Sequence, residues 1–314
     1  MPVLRTPAFL PLLASTLGLF LHPRRGLQDP SAMPRIERAL AGATLDPAWL
    51  TAYADCVGLK VGTALPPLAL QLAAAPLHMA ILGDPRFPFR ALGLVHMAQR
   101  VTQTRAIPPD ATLDLLAYST DARWEKRGMS FALVTEARWG GELVWRAETR
   151  ALAPGKTRAP AQAAAASSTD ESAGAVPARD ERVHVPESTG RHYAAIAGDL
   201  NPIHQHALLA RLFGFRRAIV HGTWTLARAL ALAELPRTDA FTLEAQFRRP
   251  VELPSDILVR AWVGGQGRPD WIEVSSGDGA KPCINVQIVE PCPQPSGHPL
   301  ARSESPPLQT APDR

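Results

Sequence analysis

The sequence predicts an α+β protein made of two similar units, each a buried helix followed by a run of antiparallel strands. Three observations carry this. Segments 68–82 and 223–235 are apolar runs, the first on nearly every face, as a helix enclosed by protein must be. Each is followed by four strand-length runs divided by turn residues. Between the two units, roughly 154–178 is Ala, Ser, Pro and charge with scarcely a large apolar residue, too little to bury to order itself.

In chain order, 7–21 is apolar and flanked by Arg5 and His22-Pro23-Arg24-Arg25. It is short for a membrane span, and basic residues stand where a signal peptide needs a small-residue cleavage site. The expectation is a helix docked on the body, with a membrane-proximal surface and secretion as the alternatives. Residues 26–46 are mixed and Pro-rich, with no clear period. From Asp46-Pro47, the spacing of Trp49, Leu50, Tyr53, Ala54 and Val57 predicts a short helix ending near Gly58. The buried helix 68–82 is interrupted by Pro76 and closes at Gly83. Strands follow at 94–105, 111–125, 129–139 and 143–152, separated by Pro108-Pro109-Asp110, Lys126-Arg127-Gly128 and Gly140-Gly141. After the linker come a strand at 182–185, a helix at 187–197, a short helix at 207–213 and the buried helix 223–235. Strands close the unit at 241–247, 256–263, 271–276 and 283–289. The tail 291–314 repeats the linker's composition and is expected to be disordered.

The halves can be laid on one another. Ala98-Gln99 precedes Asp110, and Ala245-Gln246 precedes Asp256, at nearly equal spacing, and each Asp stands at a Pro-containing turn. One helix wrapped by a curved sheet cannot hide the sheet edges and the helix together, so two units side by side make physical sense.

Composition bounds the function. The chain has 314 residues and a formal charge of +4, with no stripe of Lys or Arg interleaved with aromatics, which argues against nucleic acid. Cys56, Cys283 and Cys292 show no C-x-x-C spacing, so a disulfide framework or structural zinc is not expected, and a reducing cytoplasm fits.

The chemistry gathers between Tyr193 and Gly222. Gly198-Asp199-Leu200-Asn201-Pro202 consists of turn formers, and Asp199 can cap the backbone locally. A calcium loop breaks off after Asn201. His204-x-His206 has zinc-ligand spacing, but no third ligand is placed by pattern. Alternatively, Asp199 and His204 on one rigid turn share a water, one taking a proton while the other orients or donates. Spacing alone leaves the local turn and the acid–base pair both open. Downstream, a helix opening at Gly222 offers free N–H groups and a positive dipole end to a developing oxyanion. His221 reads as a buried histidine bracing the turn, and Trp224, Leu226, Leu230 and Leu232 read as core.

Tyr193-x3-Ala197-Gly198-Asp199-x-Asn201-Pro202-Ile203-His204-x5-Ala210, followed by Gly214-Phe215-x3-Ile219-Val220-His221-Gly222, resembles the MaoC-type, hydratase 2 family of acyl dehydratases. The one soft difference is Arg217-Ala218, where relatives often carry proline. The resemblance implies a double hot-dog fold, with an N-terminal extension (1–45), a degenerate repeat (46–153), a linker (154–180), a catalytic repeat (181–290) and the tail. It implies catalytic roles for Asp199, His204 and the Gly222 amide, with Asn201, Tyr193 and His221 supporting. The implied reaction is reversible syn hydration of trans-2-enoyl thioesters to (R)-3-hydroxyacyl thioesters, carried on coenzyme A or acyl carrier protein. No metal or redox cofactor is implied, and a homodimer is left open. In the first half, Gly83-Asp84-Pro85 echoes Gly198-Asp199, but no Asn-Pro-x-His follows and it reads as a turn, so one active site per chain is expected. The rival readings are a hot-dog thioesterase and a non-catalytic acyl-thioester binding protein. Arg216, Arg217, Arg248 and Arg249 could meet carrier phosphates, although solvated arginines would look the same.

Overall fold

The computed structural model describes residues 4–5, 24–156, 176–235, 240–264, 267 and 269–289. The apolar segment 7–21, the middle of the linker and the tail fall outside the described residues. The first unit contains β1 (Leu4–Arg5), β2 (Glu37–Leu45), α1 (Pro47–Val57), α2 (Ala69–Ala73), α3 (Ala75–Leu82), β3 (Val95–Gln103), β4 (Leu113–Glu125), β5 (Gly128–Trp139) and β6 (Glu142–Pro154). The second contains β7 (Arg179–Val185), α4 (Thr189–Ala197), α5 (Ala207–Arg211), α6 (Gly222–Leu232), β8 (Phe241–Phe247), β9 (Ser255–Val263), β10 (Pro269–Ser276) and β11 (Pro282–Val289).

The eleven strands of the described residues form one antiparallel sheet in the order β1-β2-β4-β5-β6-β3-β8-β11-β10-β9-β7. From β2 and from β7 inward the order is the same, so the two units are related by a pseudo-twofold through the β3–β8 pair. The repeated dipeptide sits on that axis: Ala98 pairs with Gln246, and Gln99 with Ala245. Each unit wraps its half of the sheet around its own central helix, α2–α3 in one and α6 in the other. This is the double hot-dog arrangement.

The local reasons are visible in the residues. Asp46 caps α1 by accepting from the amides of Ala48 and Trp49, Pro47 opens it, and Gly58 closes it in the left-handed region. The five residues expected on its buried face are all buried. The central helix of the first unit breaks at Ala74, because Pro76 has no N–H and its ring collides with the carbonyl one turn back. Leu70, Leu77 and Ile81 on it are buried, each contributing about 1.5–3 kcal/mol. Gln71 on α2 donates to Thr149 Oγ1 (2.8 Å), which donates to Gln99 Oε1 (2.8 Å), tying the helix to β6 and β3. His78 on α3 lies 2.6 Å from Thr135 Oγ1, and burial pushes its imidazole down to about 4.

The units also grip each other through α1. Trp49 Nε1 donates to Ile196 O at the end of α4 (2.9 Å), and Trp224 Nε1 on α6 donates to Cys56 O (3.0 Å). The apolar core is continuous across both units.

Two expected boundaries are corrected. Residues 37–45, assigned to an N-terminal extension, are strand β2 and pair with β4 from Glu37↔Tyr118 to Ala43↔Leu113. A register break between Leu40 and Ala43, with Gly42 at φ 64°, destroys the period-two signal that would have marked it. The ends of the linker assigned to 154–180 belong to strands, since Pro154 closes β6 and Arg179 opens β7.

Candidate active site

Helix α4 ends on Gly198, whose φ of 73° turns the chain outward and whose N–H bonds Ala194 O. Asp199 follows, with Oδ1 accepting the Asn201 amide (3.1 Å) in a local Asx turn. Asn201 Oδ1 in turn accepts from Ile203 N–H, opening a 3-10 turn over Pro202–His204. The turn delivers His204 inward, 8 % exposed, while Asp199 stays at the opening. The close fit depends on Gly190, where a Cβ would stand 2.3 Å from His204 O.

The turn is bolted to the strand-like segment before α6. Ile219 N–H bonds Ile203 O, and His204 Nδ1 donates to Ile219 O at 2.8 Å. A carbonyl accepts only, so Nδ1 carries the proton and Nε2 keeps its lone pair. That Nε2 lies 3.9 Å from Asp199 Oδ2, beyond direct hydrogen bonding and spaced for a bridging water. His221, the residue before α6, donates Nε2–H to Asp199 O (3.2 Å) and stacks on His204 at 3.6 Å and 25°. Tyr193 is buried beside His221, ring centroids 5.0 Å apart and planes tilted by 59°.

Electrostatics follow from burial. Desolvation lowers the His204 pKa, opposed by the Asp199 charge and the Ile219 carbonyl. Burial and the adjacent His204 push His221 down to about 4. Both rings are therefore neutral near pH 7. Burial raises the Tyr193 phenol well above its usual range, so it too stays uncharged.

Gly222 is the first residue of α6, and no side chain caps that end, so its first-turn amides have no intrahelical partner. Here glycine is required by contact: a Cβ would lie 2.8 Å from Phe247 Cε1. Asp199, His204, Gly222 and Phe247 face one cleft of about 420 Å³. Residues 93–96 of the first unit also line it.

A family profile described as the MaoC like domain matches residues 168–282. The 3-hydroxyacyl-thioester dehydratase X of Mycobacterium tuberculosis is 30 % identical over 258 residues, 73 % of this chain and 88 % of that protein. The chain belongs to the MaoC-like dehydratases. The crystal structure of HtdX from the same organism aligns over 81 % of this chain and 99 % of its own, with 27 % identity and a TM-score of 0.65. A second M. tuberculosis protein, described as having a double hot-dog fold, shares the fold at 14 % identity and a TM-score of 0.55, over 87 % of this chain and 98 % of that one.

Within this MaoC-like site, the structure brings together Asp199, His204, His221, Asn201 and Gly222 from the expected set, with Tyr193 behind them. His206 does not join: it caps α5 through Leu208 N–H (3.2 Å) and is exposed. Among the described residues, the group that could hold a cation is Asp199, His204 and His221, whose ligand atoms lie within 4.8 Å of one another. A metal there would compete with the His221–Asp199 carbonyl bond. Arg248 and Arg249 border the cleft, and Arg216 and Arg217 are exposed. The echo at Asp84 is structural: hydrogen bonding by Arg86, with Arg38 beside it at 2.8 Å, holds that carboxyl well below its usual range. Two lining residues, His96 and Phe247, carried no sequence signal, because a lone histidine or phenylalanine in a strand looks like any other.

Proposed function

We propose that this MaoC-like dehydratase interconverts trans-2-enoyl and (R)-3-hydroxyacyl thioesters, using Asp199 and His204 as its acid–base pair and the Gly222 N–H as its oxyanion donor. The observation that carries this is the 3.9 Å gap between Asp199 Oδ2 and the lone-pair nitrogen of a neutral His204, beside an uncapped helix start. A water in that gap accepts a hydrogen bond from neither group. It donates to both, which turns its oxygen lone pairs toward the cleft.

In the hydration direction, the thioester carbonyl accepts from Gly222 N–H, so negative charge building on that oxygen meets the helix dipole. The water oxygen bonds to C3 while one of its protons passes to the Asp199/His204 pair. The pair returns one proton to C2 on the same face, giving syn addition with no net change in the enzyme. Dehydration is the reverse. The thioester makes the C2 proton acidic, so the reaction asks for no redox group. The substrate enters on the phosphopantetheine arm common to coenzyme A and acyl carrier protein, with its acyl chain toward the wall formed by the first unit. That unit lacks an Asn-Pro-x-His turn, which leaves one active site per chain.

Loss of an acid–base group typically lowers the rate by about 10²–10⁴. Asp199→Asn and His204→Gln are each expected to remove turnover of a crotonyl thioester, read as loss of enoyl absorbance, while the circular dichroism spectrum is unchanged. Near-wild-type turnover in both variants would overturn the assignment, and release of free thiol instead would indicate thioester hydrolysis.

A further inference from the structure

The acid–base residues and the helix start all belong to the second unit, yet the cleft has a titratable residue from the first, His96. It stands at a break in register: β3 pairs with β6 at His96↔Ala151 and resumes at Ala98↔Arg150, leaving Met97 as a bulge. On its other side the β3–β8 ladder begins only at Ala98↔Gln246, so Phe247 lies beyond it. Bulges of this kind re-aim side chains beside active sites. Here the imidazole folds back so that Nε2 donates to Ala98 O at 3.1 Å, and its ring lies against Phe247 with centroids 4.3 Å apart at 38°. Phe247 in turn presses on Gly222, leaving no room for a Cβ. An unbroken line of contact therefore runs from the repeat without acid–base residues to the first amide of α6.

We propose that His96 is a positioning residue: by wedging Phe247 against Gly222 it sets where the α6 amide stands, so the amino-terminal repeat aligns the oxyanion donor of its partner repeat. Three features fit this role. The imidazole is neutral at physiological pH, burial pushing it down to about 4, so it adds no charge that would compete with the helix end for the carbonyl. Its hydrogen bond to its own strand fixes the ring's orientation. Phe247 remains bonded into the sheet through Ile284 of β11, so its ring pivots about a fixed backbone. Removing the imidazole frees that ring, and the helix start can relax toward it. The role rests on the dehydratase reading of Gly222, but its first test does not.

That test is the amide resonance of Gly222 in ¹⁵N-labelled protein, which needs no turnover. His96→Ala is expected to shift it, whereas His96→Phe, which keeps a ring against Phe247, is expected to leave it near the wild-type position. The kinetic test uses the same variants with a crotonyl thioester. An ångström of misplacement costs up to about 10²-fold, so a smaller shift in His96→Ala is expected to lose about tenfold in kcat with KM little changed, and His96→Phe to recover most of the loss. Contacting residues couple, so His96→Ala is expected to do little further harm in a Phe247→Leu background. The proposal fails if the Gly222 resonance is unmoved in a folded His96→Ala, if the two substitutions are additive in kcat, or if His96→Phe is as impaired as His96→Ala. A shifted resonance in a protein whose wild type does not turn over enoyl thioesters would leave the positioning intact and overturn the dehydratase assignment instead.

Discussion

Gly222→Ala tests the position of the oxyanion donor, because it keeps the N–H and displaces it. The added Cβ would sit 2.8 Å from Cε1 and 2.9 Å from Cδ1 of Phe247. Carbon–carbon contacts settle at about 3.5–4.0 Å, so roughly 0.7 Å or more must be found. Phe247 is backed by His96 and cannot simply retreat, so part of the displacement falls on the start of α6. Overpacking of this kind destabilises by about 1–3 kcal/mol. Alanine recovers about 0.4–1 kcal/mol by restricting the unfolded chain. The net loss, about 0–2.5 kcal/mol, lowers the melting temperature by no more than about 10 °C at about 2–4 °C per kcal/mol. Catalysis should suffer far more. Alanine keeps the N–H, so the loss comes from its displacement, and an ångström of misplacement can lower the rate by about 10²-fold. The assay is kcat and KM for a crotonyl thioester, followed by enoyl absorbance, beside a thermal melt. A folded Gly222→Ala protein with kcat within a few-fold of wild type would refute the reasoning that packing against Phe247 fixes this amide where the developing charge needs it.

Other perturbations separate catalytic from structural groups. The His204 imidazole should titrate below its ordinary range by NMR, and Asp199→Asn should lower it further, because the Asp199 charge is what raises it. A rise in that variant would contradict the geometry. His78 titrates near 4 folded against an ordinary 6.5, so the unfolded chain binds a proton that the folded one refuses. Its contribution is complete above about pH 6.5 and is lost as pH falls toward 4, at a scale of about 3 kcal/mol. Chemical denaturation of His78→Phe across that range should show a shallower decline than wild type. His206→Ala should keep its turnover and lose about 0.5–2 kcal/mol of stability through the α5 cap. A collapse in kcat would return His206 to the site.

The parts of this protein legible from its residues are those whose causes are local. Asp199, Asn201 and His204 share a turn closed by bonds spanning two or three residues, and Asp46 and Gly58 cap α1 by the same short-range chemistry. The central helices showed because their apolar faces leave no side for water, and most strands showed because turn residues punctuate them. Strand β2 was hidden for the converse reason, its alternation cut by a register break in an alanine-rich run. The dipeptide common to both halves hinted at a repeat, but not that its two copies meet at the pseudo-twofold.

Tertiary structure decided what the local turn faces. The tautomer of His204 is set by Ile219 O, fifteen residues on, and the orientation of His221 by the Asp199 carbonyl. A side chain at Gly222 would collide with Phe247, and Phe247 packs against His96 from the other unit. None of these contacts leaves a periodicity or a spacing in the chain, since packing depends on which surfaces meet and not on the order in which they were made. The sequence by itself determined a carboxylate and an imidazole on one turn. The geometry that sets them 3.9 Å apart, within reach of one bridging water and beside a helix amide, came from the packing of that turn against Ile219 and α6.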